Sequence, residues 1–211
     1  MSKELICSRC GRDGILVPNA LFILRHGQTK MNAEHLIIGC IDDPLNETGR
    51  SQAYEVAIKL KRENEVFDIV ISSTLSRARE TAEIIGRYLK LKVYADPRLC
   101  ERCVGDYENK SEFPNMLKEF LGTELPAPNA ESLSAFKKRV LELLYEISSS
   151  SKSALLITHA LPLLIILGEI KNWTLESLLQ HKIPINCVPI KFYFGEPCRN
   201  CGSKFYEPKS E

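Results

Sequence analysis

Three short apolar runs stand out along the chain, and polar residues follow each of them. The runs are Ala20-Leu21-Phe22-Ile23-Leu24 before Arg25-His26, Phe67-Asp68-Ile69-Val70-Ile71 before Ser72-Ser73, and Ala154-Leu155-Leu156-Ile157-Thr158 before His159. Short apolar runs with abrupt polar ends are typical of inner strands of a parallel sheet. Each run therefore predicts a buried strand.

Apolar residues at helical spacing separate these strands. They form three stripes, Ala53, Val56, Ala57 and Leu60, then Ala78, Ala82, Ile85 and Leu89, then Leu133, Phe136, Val140, Leu143, Leu144 and Ile147. A largely apolar helix is expected from about Leu161, short strands over Lys92 to Tyr94 and Pro189 to Phe194, and irregular structure from Asp96 to about Ala130. This alternation predicts an α/β fold, a three-layer α/β/α arrangement with a mostly parallel sheet.

The bulk composition narrows the class of protein. The chain has 211 residues, enough for one domain with a small appendage. Its formal net charge of +1 argues against a general nucleic-acid or membrane partner. The longest uncharged stretch, from Ala154 to Gly168, is shorter than the ~20 residues of a membrane helix, and the first residues lack a signal-peptide core. We therefore expect a cytoplasmic protein.

Six of the eight cysteines occur in three Cys-x-x-Cys pairs. Two of these pairs, Cys7 with Cys10 and Cys198 with Cys201, lie near the termini, and a glycine follows each. Two such turns supply the four sulfur ligands of a tetrahedral zinc site, and chain termini often lie close together. The sequence predicts one structural zinc, with iron as a minor alternative.

The zinc would organise a small zinc-ribbon-like appendage made from both ends of the chain. Its predicted bounds are residues 1–17 and 196–211, around a domain of residues 18–195. The residues flanking the cysteines, including Leu5-Ile6, Ile15-Leu16-Val17 and Lys204 to Tyr206, have strand character. The two ends are therefore expected to pair as strands.

The polar residues after the three strands suggest a phosphate site. Arg25 and His26 follow the first strand, Arg77 lies one turn beyond the second, and His159 follows the third. Carboxyl ends of parallel strands meet at one edge of a sheet, where α/β proteins bind ligands. Taken singly, Arg77 could be a solvated helix residue and His159 a core histidine. Together, two arginines and two histidines can surround a phosphoryl group.

The order of the motifs resembles the histidine phosphatase superfamily, the phosphoglycerate mutase-like proteins, in the branch with the acid in mid-chain. The resemblance covers about residues 20 to 195. It is carried by Leu24-Arg25-His26-Gly27-Gln28-Thr29 with Asn32, Gly39, Asp42, Pro44-Leu45, Gly49, Gln52-Ala53, Ser72 to Ala78, Thr81-Ala82, Leu99-Cys100-Glu101, Gly105 to Glu108, Pro128, Glu131-Ser132 and Thr158-His159.

The resemblance implies a role for each matched residue. His26 would be the nucleophile that becomes phosphohistidine, and Glu101 would protonate the leaving oxygen and then assist water. The phosphate-binding groups would be Arg25, Arg77, His159, Asn32, the backbone near Gly39 and the amide of Ala160. No cofactor is expected in catalysis. Ala160 excludes the aspartate that the other branch has there, and Asp106 and Glu108 are weaker alternative acids.

The third cysteine pair, Cys100 and Cys103, flanks Glu101 within this acid segment. We therefore interpret its spacing as coincidental rather than as a metal site. We also expect the segment with Lys110, Phe113, Met116, Lys118 and Phe120 to be an exposed amphipathic helix rather than the lining of the pocket's mouth.

The predicted function is hydrolysis of small-molecule phosphomonoesters. The interval from Glu101 to His159 is short for a mutase, which must keep water from its phosphohistidine. Phosphoglycerate mutase activity is the alternative, and a catalytically weak domain whose zinc ribbon binds a protein or nucleic acid is the second alternative. A homodimer is compatible with the sequence.

Overall fold

The computed structural model describes residues 5–11, 19–150, 152–194, 197–198 and 200–208. Within these residues the chain forms seven strands and seven α-helices. The strands are β1 (Leu5–Cys7), β2 (Asn19–Arg25), β3 (Ile69–Ser72), β4 (Val93–Ala95), β5 (Ala154–Thr158), β6 (Ile190–Phe194) and β7 (Phe205–Pro208). The helices are α1 (Lys30–Ala33), α2 (Glu47–Arg62), α3 (Ser76–Leu89), α4 (Met116–Gly122), α5 (Leu133–Ser149), α6 (Ala160–Lys171) and α7 (Leu175–Leu179).

The described strands form one mixed sheet in the order β1-β7-β6-β2-β5-β3-β4. The strands β2, β5, β3 and β4 run parallel to one another. The strand β6 pairs antiparallel with β2 and with β7, and β7 pairs antiparallel with β1. Arg25 pairs with Thr158, and Ile157 pairs with Ser72. The carboxyl ends of β2, β5 and β3 therefore lie side by side, as the sequence predicts.

Helices cover both faces of the sheet, which confirms the predicted α/β architecture. Leu21, Ile23 and Leu156 face a core shared with α5 and α6. Phe22 and Leu24, the alternate residues of the same strand, face a second core shared with α2 and α3. Successive side chains of a strand point to opposite faces, so a run that is apolar throughout is buried on both sides. None of the helices in the described part of the chain combines the length and apolar character needed to cross a membrane.

The two ends of the chain extend the antiparallel edge of this sheet. Ile6 pairs with Glu207, and Tyr206 pairs in turn with Tyr193 of β6. Side-chain contacts from Arg9 to Glu169 and from Lys171 to Glu207 join this edge to α6. Two predictions fall at or among residues outside the described ranges and stay predictions. They are the domain bounds at residues 17–18 and 195–196 and the strand character of Ile15-Leu16-Val17.

The region from residue 96 to residue 130 is largely irregular, as expected, but it contains two short 3-10 helices and α4. With seven residues, α4 is too short to show a periodic pattern by itself. Phe120 and Leu121 are buried, and Met116 is half-buried. The expectation of an exposed amphipathic helix is therefore wrong, because α4 packs over the carboxyl edge of the sheet and lines its cavity.

Candidate active site

The predicted histidines and Arg77 meet at the carboxyl edge of the parallel strands. The Nε atom of Arg77 lies 3.3 Å from Nε2 of His26 and 3.2 Å from Nδ1 of His159. The centroids of the two imidazole rings are 5.0 Å apart. All three side chains are almost completely buried. The register of β2, β5 and β3 thus brings together residues that are more than 50 positions apart in the sequence.

The backbone fixes the orientation of the His26 ring. Its Nδ1 lies 2.7 Å from the carbonyl oxygen of Gly27 and must carry the proton to donate there. The other nitrogen, Nε2, then keeps its lone pair, which accepts from Arg77. Gly27 is required because a Cβ atom there would lie 2.4 Å from the carbonyl oxygen of Gly49. The resulting tautomer suits a nucleophile that attacks through Nε2.

Main-chain carbonyls hold the guanidinium group of Arg77. Its Nη1 donates to Ile41 at 2.7 Å and its Nη2 to Gly39 at 2.8 Å. Gly39 has a φ of +54°, and a Cβ atom there would collide with the carboxylate of Glu108. Glycine is therefore suited to the turn that presents its carbonyl group to Arg77.

Arg25 provides a donor that no described residue uses. Its Nη1 donates to the carbonyl oxygen of Pro184 at 3.0 Å, while its buried Nε has no hydrogen-bond partner among the described residues. A buried donor without an acceptor is costly. Arg25 lines the same cavity as His26 and Arg77, so its positive charge would favour an anion bound there.

Burial and positive charge keep both histidines neutral. Burial lowers the pKa of His26 well below its ordinary value, and Arg77 and Arg25 lower it further. Burial, followed by Arg77, lowers the pKa of His159 in the same direction. A neutral imidazole is the form that can act as a nucleophile, so His26 is in the reactive state at neutral pH.

Glu101 lines the same cavity and accepts hydrogen bonds from three backbone amides. Its carboxylate lies 3.0 Å from the amide nitrogen of Arg102, 3.1 Å from that of Ala160 and 3.3 Å from that of Leu161. Burial nevertheless raises the pKa of Glu101 above its ordinary value. A raised pKa favours the protonated form of the carboxyl group, which is the form that acts as a general acid.

The remaining residues predicted to bind phosphate, Asn32, Gly39 and Ala160, all line the cavity but make different contacts. Asn32 lines it, with its Oδ1 3.3 Å from the amide nitrogen of Thr29. Gly39 also lines it and gives its carbonyl group to Arg77. The amide of Ala160 is directed to Glu101. The direct contact of each with a phosphate remains a prediction.

The loop between α7 and β6 contacts the carboxyl end of β2, a contact that the sequence did not predict. Asn186 donates from its Nδ2 to the carbonyl oxygen of His26 at 2.7 Å. The amide of Cys187 donates to the carbonyl oxygen of Arg25 at 2.9 Å. Both contacts join residues about 160 positions apart, so no local pattern in the sequence indicates them.

Arg139 of α5 positions the acid segment, and it too was missed. Its guanidinium group binds both carboxylate oxygens of Glu131 at 2.7 Å. It also donates to the carbonyl oxygens of Cys100 at 2.7 Å and Glu101 at 3.0 Å. This clamp fixes the backbone on either side of the carboxyl group, and removing the arginine would release the acid.

A disulfide joins Cys40 to Cys103, with Cα atoms 4.9 Å apart. Cys40 follows Gly39, and Cys103 lies two residues after Glu101, so the bond links the Arg77-binding loop to the acid segment. Cys100 instead lies beside Ser73 and Thr74. Cys100 and Cys103 therefore do not share a metal, in keeping with their coincidental spacing, but the pairing with Cys40 was not anticipated.

The four terminal cysteines converge at the other end of the sheet. Their sulfur atoms all lie within 4.8 Å of one another, with 3.5 Å between those of Cys7 and Cys201 and 3.7 Å between those of Cys10 and Cys198. These distances are too long for disulfides, which need about 2.05 Å. Sulfurs that share a tetrahedral zinc at ~2.3 Å lie about 3.8 Å apart. The four side chains therefore fit a metal ion of this kind.

Comparisons with known proteins agree with this geometry. The histidine phosphatase superfamily (branch 1) matches residues 21–196. Phosphoglycerate mutase-like protein 4 of Arabidopsis thaliana is 37% identical over 151 residues, which is 66% of this chain and 65% of that protein. The aligned part is thus just under two thirds of this relative's length.

Solved structures share the fold. Bacillus stearothermophilus YhfR superposes with a TM-score of 0.75 and 27% identity, covering 92% of this chain and 96% of that one. A mycobacterial glucosyl-3-phosphoglycerate phosphatase, solved with VO3, superposes with a TM-score of 0.71 and 24% identity, covering 82% and 92%. From the match over residues 21–196, together with the arrangement of the two histidines and the arginines, the chain belongs to the histidine phosphatase superfamily, branch 1.

Proposed function

We propose that the protein is a phosphomonoesterase that hydrolyses small-molecule substrates through a phosphohistidine on His26. The observation that carries this proposal is the environment of the His26 ring. Its Nδ1 is bound to the backbone, and its Nε2 faces Arg77 inside a cavity that Glu101 also lines. A nucleophile, a cation and a proton donor thus surround one space.

In the first step, Nε2 of His26 attacks phosphorus and the bond to the substrate's alcohol oxygen breaks. Glu101 gives its proton to that oxygen, which leaves as a neutral alcohol. Arg25 and Arg77 compensate the charge on the phosphoryl oxygens, which is how phosphoryl-transfer sites lower the barrier. The raised pKa of Glu101 supports this role, because the proton must be present at the start.

In the second step, water attacks the phosphohistidine. The Glu101 carboxylate takes a proton from the water, the bond to Nε2 breaks, and inorganic phosphate leaves. The enzyme returns to its starting state with neutral His26 and protonated Glu101. The proposed chemistry needs no metal ion, and the terminal cysteines lie by β1 and β7, which β6 separates from β2 in the sheet.

Phosphoglycerate mutase activity is the second candidate, because the Arabidopsis relative is named mutase-like. In a mutase the phosphoryl group returns to a second hydroxyl of the same substrate instead of passing to water. The segment between Glu101 and His159 is short and contributes two α-helices, α4 and α5. A short cover over the cavity supports access for water. Hydrolysis is therefore the preferred proposal.

We also infer that the four terminal cysteines bind one structural zinc. Four sulfur ligands complete a tetrahedron and leave no open position for catalysis. Elemental analysis of protein purified without chelators under reducing conditions should give about one zinc per chain. Cys10→Ser should lose the metal, and Cys100→Ser is the matched control that should retain it. Iron as the only bound metal, or no metal, would contradict this assignment.

The catalytic proposal is tested by measuring hydrolysis of 4-nitrophenyl phosphate, with 3-phosphoglycerate mutase activity assayed in parallel. His26→Ala should reduce kcat by about ten-thousand-fold or more, because the nucleophile is lost. His181→Ala, which changes an exposed histidine, is the control. Wild-type protein should also form an acid-labile phosphohistidine that His26→Ala lacks. Hydrolysis by the His26→Ala variant at the wild-type rate would contradict the mechanism.

Glu101→Gln separates the proposed acid from the weaker alternatives. It should lower kcat by about a hundredfold or more for a substrate with a poor leaving group, because a general acid is lost. Asp106→Asn is the matched control, since Asp106 is exposed and accepts from Asn129. The cytoplasmic location and the homodimer remain predictions.

A further inference from the structure

The cavity beyond the phosphate-binding groups is walled by apolar side chains. They come from the loop after α1, from α4 and from the loop after α7, and they are Leu36, Ile38, Met116, Leu117, Phe120 and Ile183. Backbone contacts join the loop after α1 to the segment that precedes α4: Leu36 forms a bridge with Ser111, and the Ile37 amide donates to the Lys110 carbonyl group at 2.8 Å. The space next to the phosphate is thus apolar and held by backbone contacts.

Each cation among the described residues that line this cavity either belongs to the phosphate site or is bound to backbone carbonyl groups. Arg25 and Arg77 belong to the phosphate site. Arg102 is completely buried and donates to the carbonyl oxygens of Phe120, Glu124 and Glu131, so it holds the acid segment and not a ligand. No lysine is among the described residues that line the cavity.

Glu112 brings a negative charge to the same wall. It lines the cavity, and its backbone amide donates to the carbonyl oxygen of His35 at 2.9 Å, directly beside the bridge at Leu36. Its carboxylate lies 3.7 Å from Nδ1 of His35, and both side chains are exposed. The carboxylate also interacts electrostatically with Arg25 of the phosphate site. Among the described residues that line the cavity, Arg25 and Arg77 belong to the phosphate site and Arg102 is bound to backbone carbonyl groups, so no further cation there would balance a second anionic group of a substrate beside Glu112.

We infer that the substrate of this site is a phosphomonoester whose alcohol portion is apolar and carries no negative charge. The inference rests on the proposed phosphatase function and narrows it. The apolar wall favours a hydrocarbon group, because burying apolar surface is favourable. Glu112 and the lack of a spare cation select against phosphoglycerates and bisphosphates, since like charges placed together are costly.

The test compares three phosphate esters with similar alkyl leaving groups: hexyl phosphate, glycerol 3-phosphate and 3-phosphoglycerate. We expect kcat/KM to fall in that order, with roughly tenfold or more between the first and the last. Met116→Gln should narrow the preference for hexyl phosphate over glycerol 3-phosphate, mainly through KM. Turnover of 3-phosphoglycerate equal to or faster than that of hexyl phosphate would overturn the inference.

Charge substitutions at Glu112 isolate its contribution. Glu112→Gln, and more strongly Glu112→Lys, should raise the ratio of kcat/KM for 3-phosphoglycerate over glycerol 3-phosphate by several-fold to about tenfold. Glu119→Gln, on the same segment but outside the cavity lining, is the matched control and should leave the ratio unchanged. An unchanged ratio in both Glu112 variants would refute the role of this charge. If none of the esters is hydrolysed and no phosphohistidine forms, the proposed function fails instead.

Discussion

The molecule holds two groups of cysteines that are fixed in opposite ways. The terminal cysteine cluster (Cys7, Cys10, Cys198 and Cys201) brings four unbonded sulfurs together on turns at the edge of the sheet. The active-site cysteine pair (Cys40 and Cys103) is joined covalently between two loops that already share other contacts. The proposed zinc would hold the first group together, whereas the second group carries its own covalent link.

The surroundings of the two groups also differ, because other contacts hold the loops of the active-site pair together, whereas few buried side chains pack around the terminal cluster. Glu108 accepts the backbone amides of Cys40 at 3.0 Å and Val104 at 3.1 Å, so both loops remain tied when the disulfide is reduced. The terminal cluster packs with only a small set of buried side chains, Leu5 and Tyr206 among them. Cysteines can therefore reinforce a structure that other contacts already hold, as in the active-site pair, or organise a local structure through a metal, as we propose for the terminal cluster.

Metal removal should have the largest effect on stability. Cys10→Ser or chelation should lower the free energy of unfolding by several kcal/mol, less than the roughly 10–16 kcal/mol of zinc binding in zinc-finger peptides, because β7 stays paired with β6. Denaturant titration with and without added zinc measures this difference. A stability that is independent of zinc would contradict the dependence of the cluster on an ion.

Loss of the active-site disulfide should have the next largest effect. Its ends are 63 positions apart, so the loop-closure model gives about 4 kcal/mol for Cys103→Ser relative to the oxidised protein. Urea denaturation of wild-type and Cys103→Ser protein, both under non-reducing conditions, measures it, and Cys100→Ser is the matched control. Equal stabilities of Cys103→Ser and wild type would show that the bond adds nothing to the contacts through Glu108.

The value of kcat should depend more on the disulfide than on the terminal cluster, which is the reverse of the order expected for stability. Reducing the Cys40–Cys103 bond should lower kcat by up to about tenfold, because small shifts of catalytic groups are costly and this bond lies beside Glu101 and Gly39. Metal removal should change kcat less. Rate measurements with a mild reductant and with a chelator, each at a temperature where the protein stays folded, test this order.

The pH dependence of kcat/KM should show the smallest and most specific difference between reducing the disulfide and removing the metal. Glu101 must be protonated to act as an acid, and burial raises its pKa, so kcat/KM should fall as pH rises through that raised value. Reduction of the disulfide should admit water, lower the pKa of Glu101 towards its ordinary value and move this loss to lower pH. Chelation should leave the profile in place. A shift with chelation but not with reduction would reverse the comparison.

The sequence by itself determined the α/β architecture and most of the candidate site. Apolar runs buried on both faces and helical stripes identify the strands and helices because they are local patterns. Arg25, His26, Arg77 and His159 could be predicted because each lies at or just beyond the end of such a run. The Cys-x-x-Cys turns are equally local, so the terminal cluster could be predicted from spacing.

The tertiary structure decided the features that join distant segments. The pairing of Cys40 with Cys103, the clamp of Arg139 on the acid segment and the support from Asn186 all link loops without periodic patterns. The apolar wall from α4 was misjudged because a seven-residue helix shows its buried face only when its partner is known. Local chemistry can be read along a chain, but a contact between loops depends on the folded positions of both.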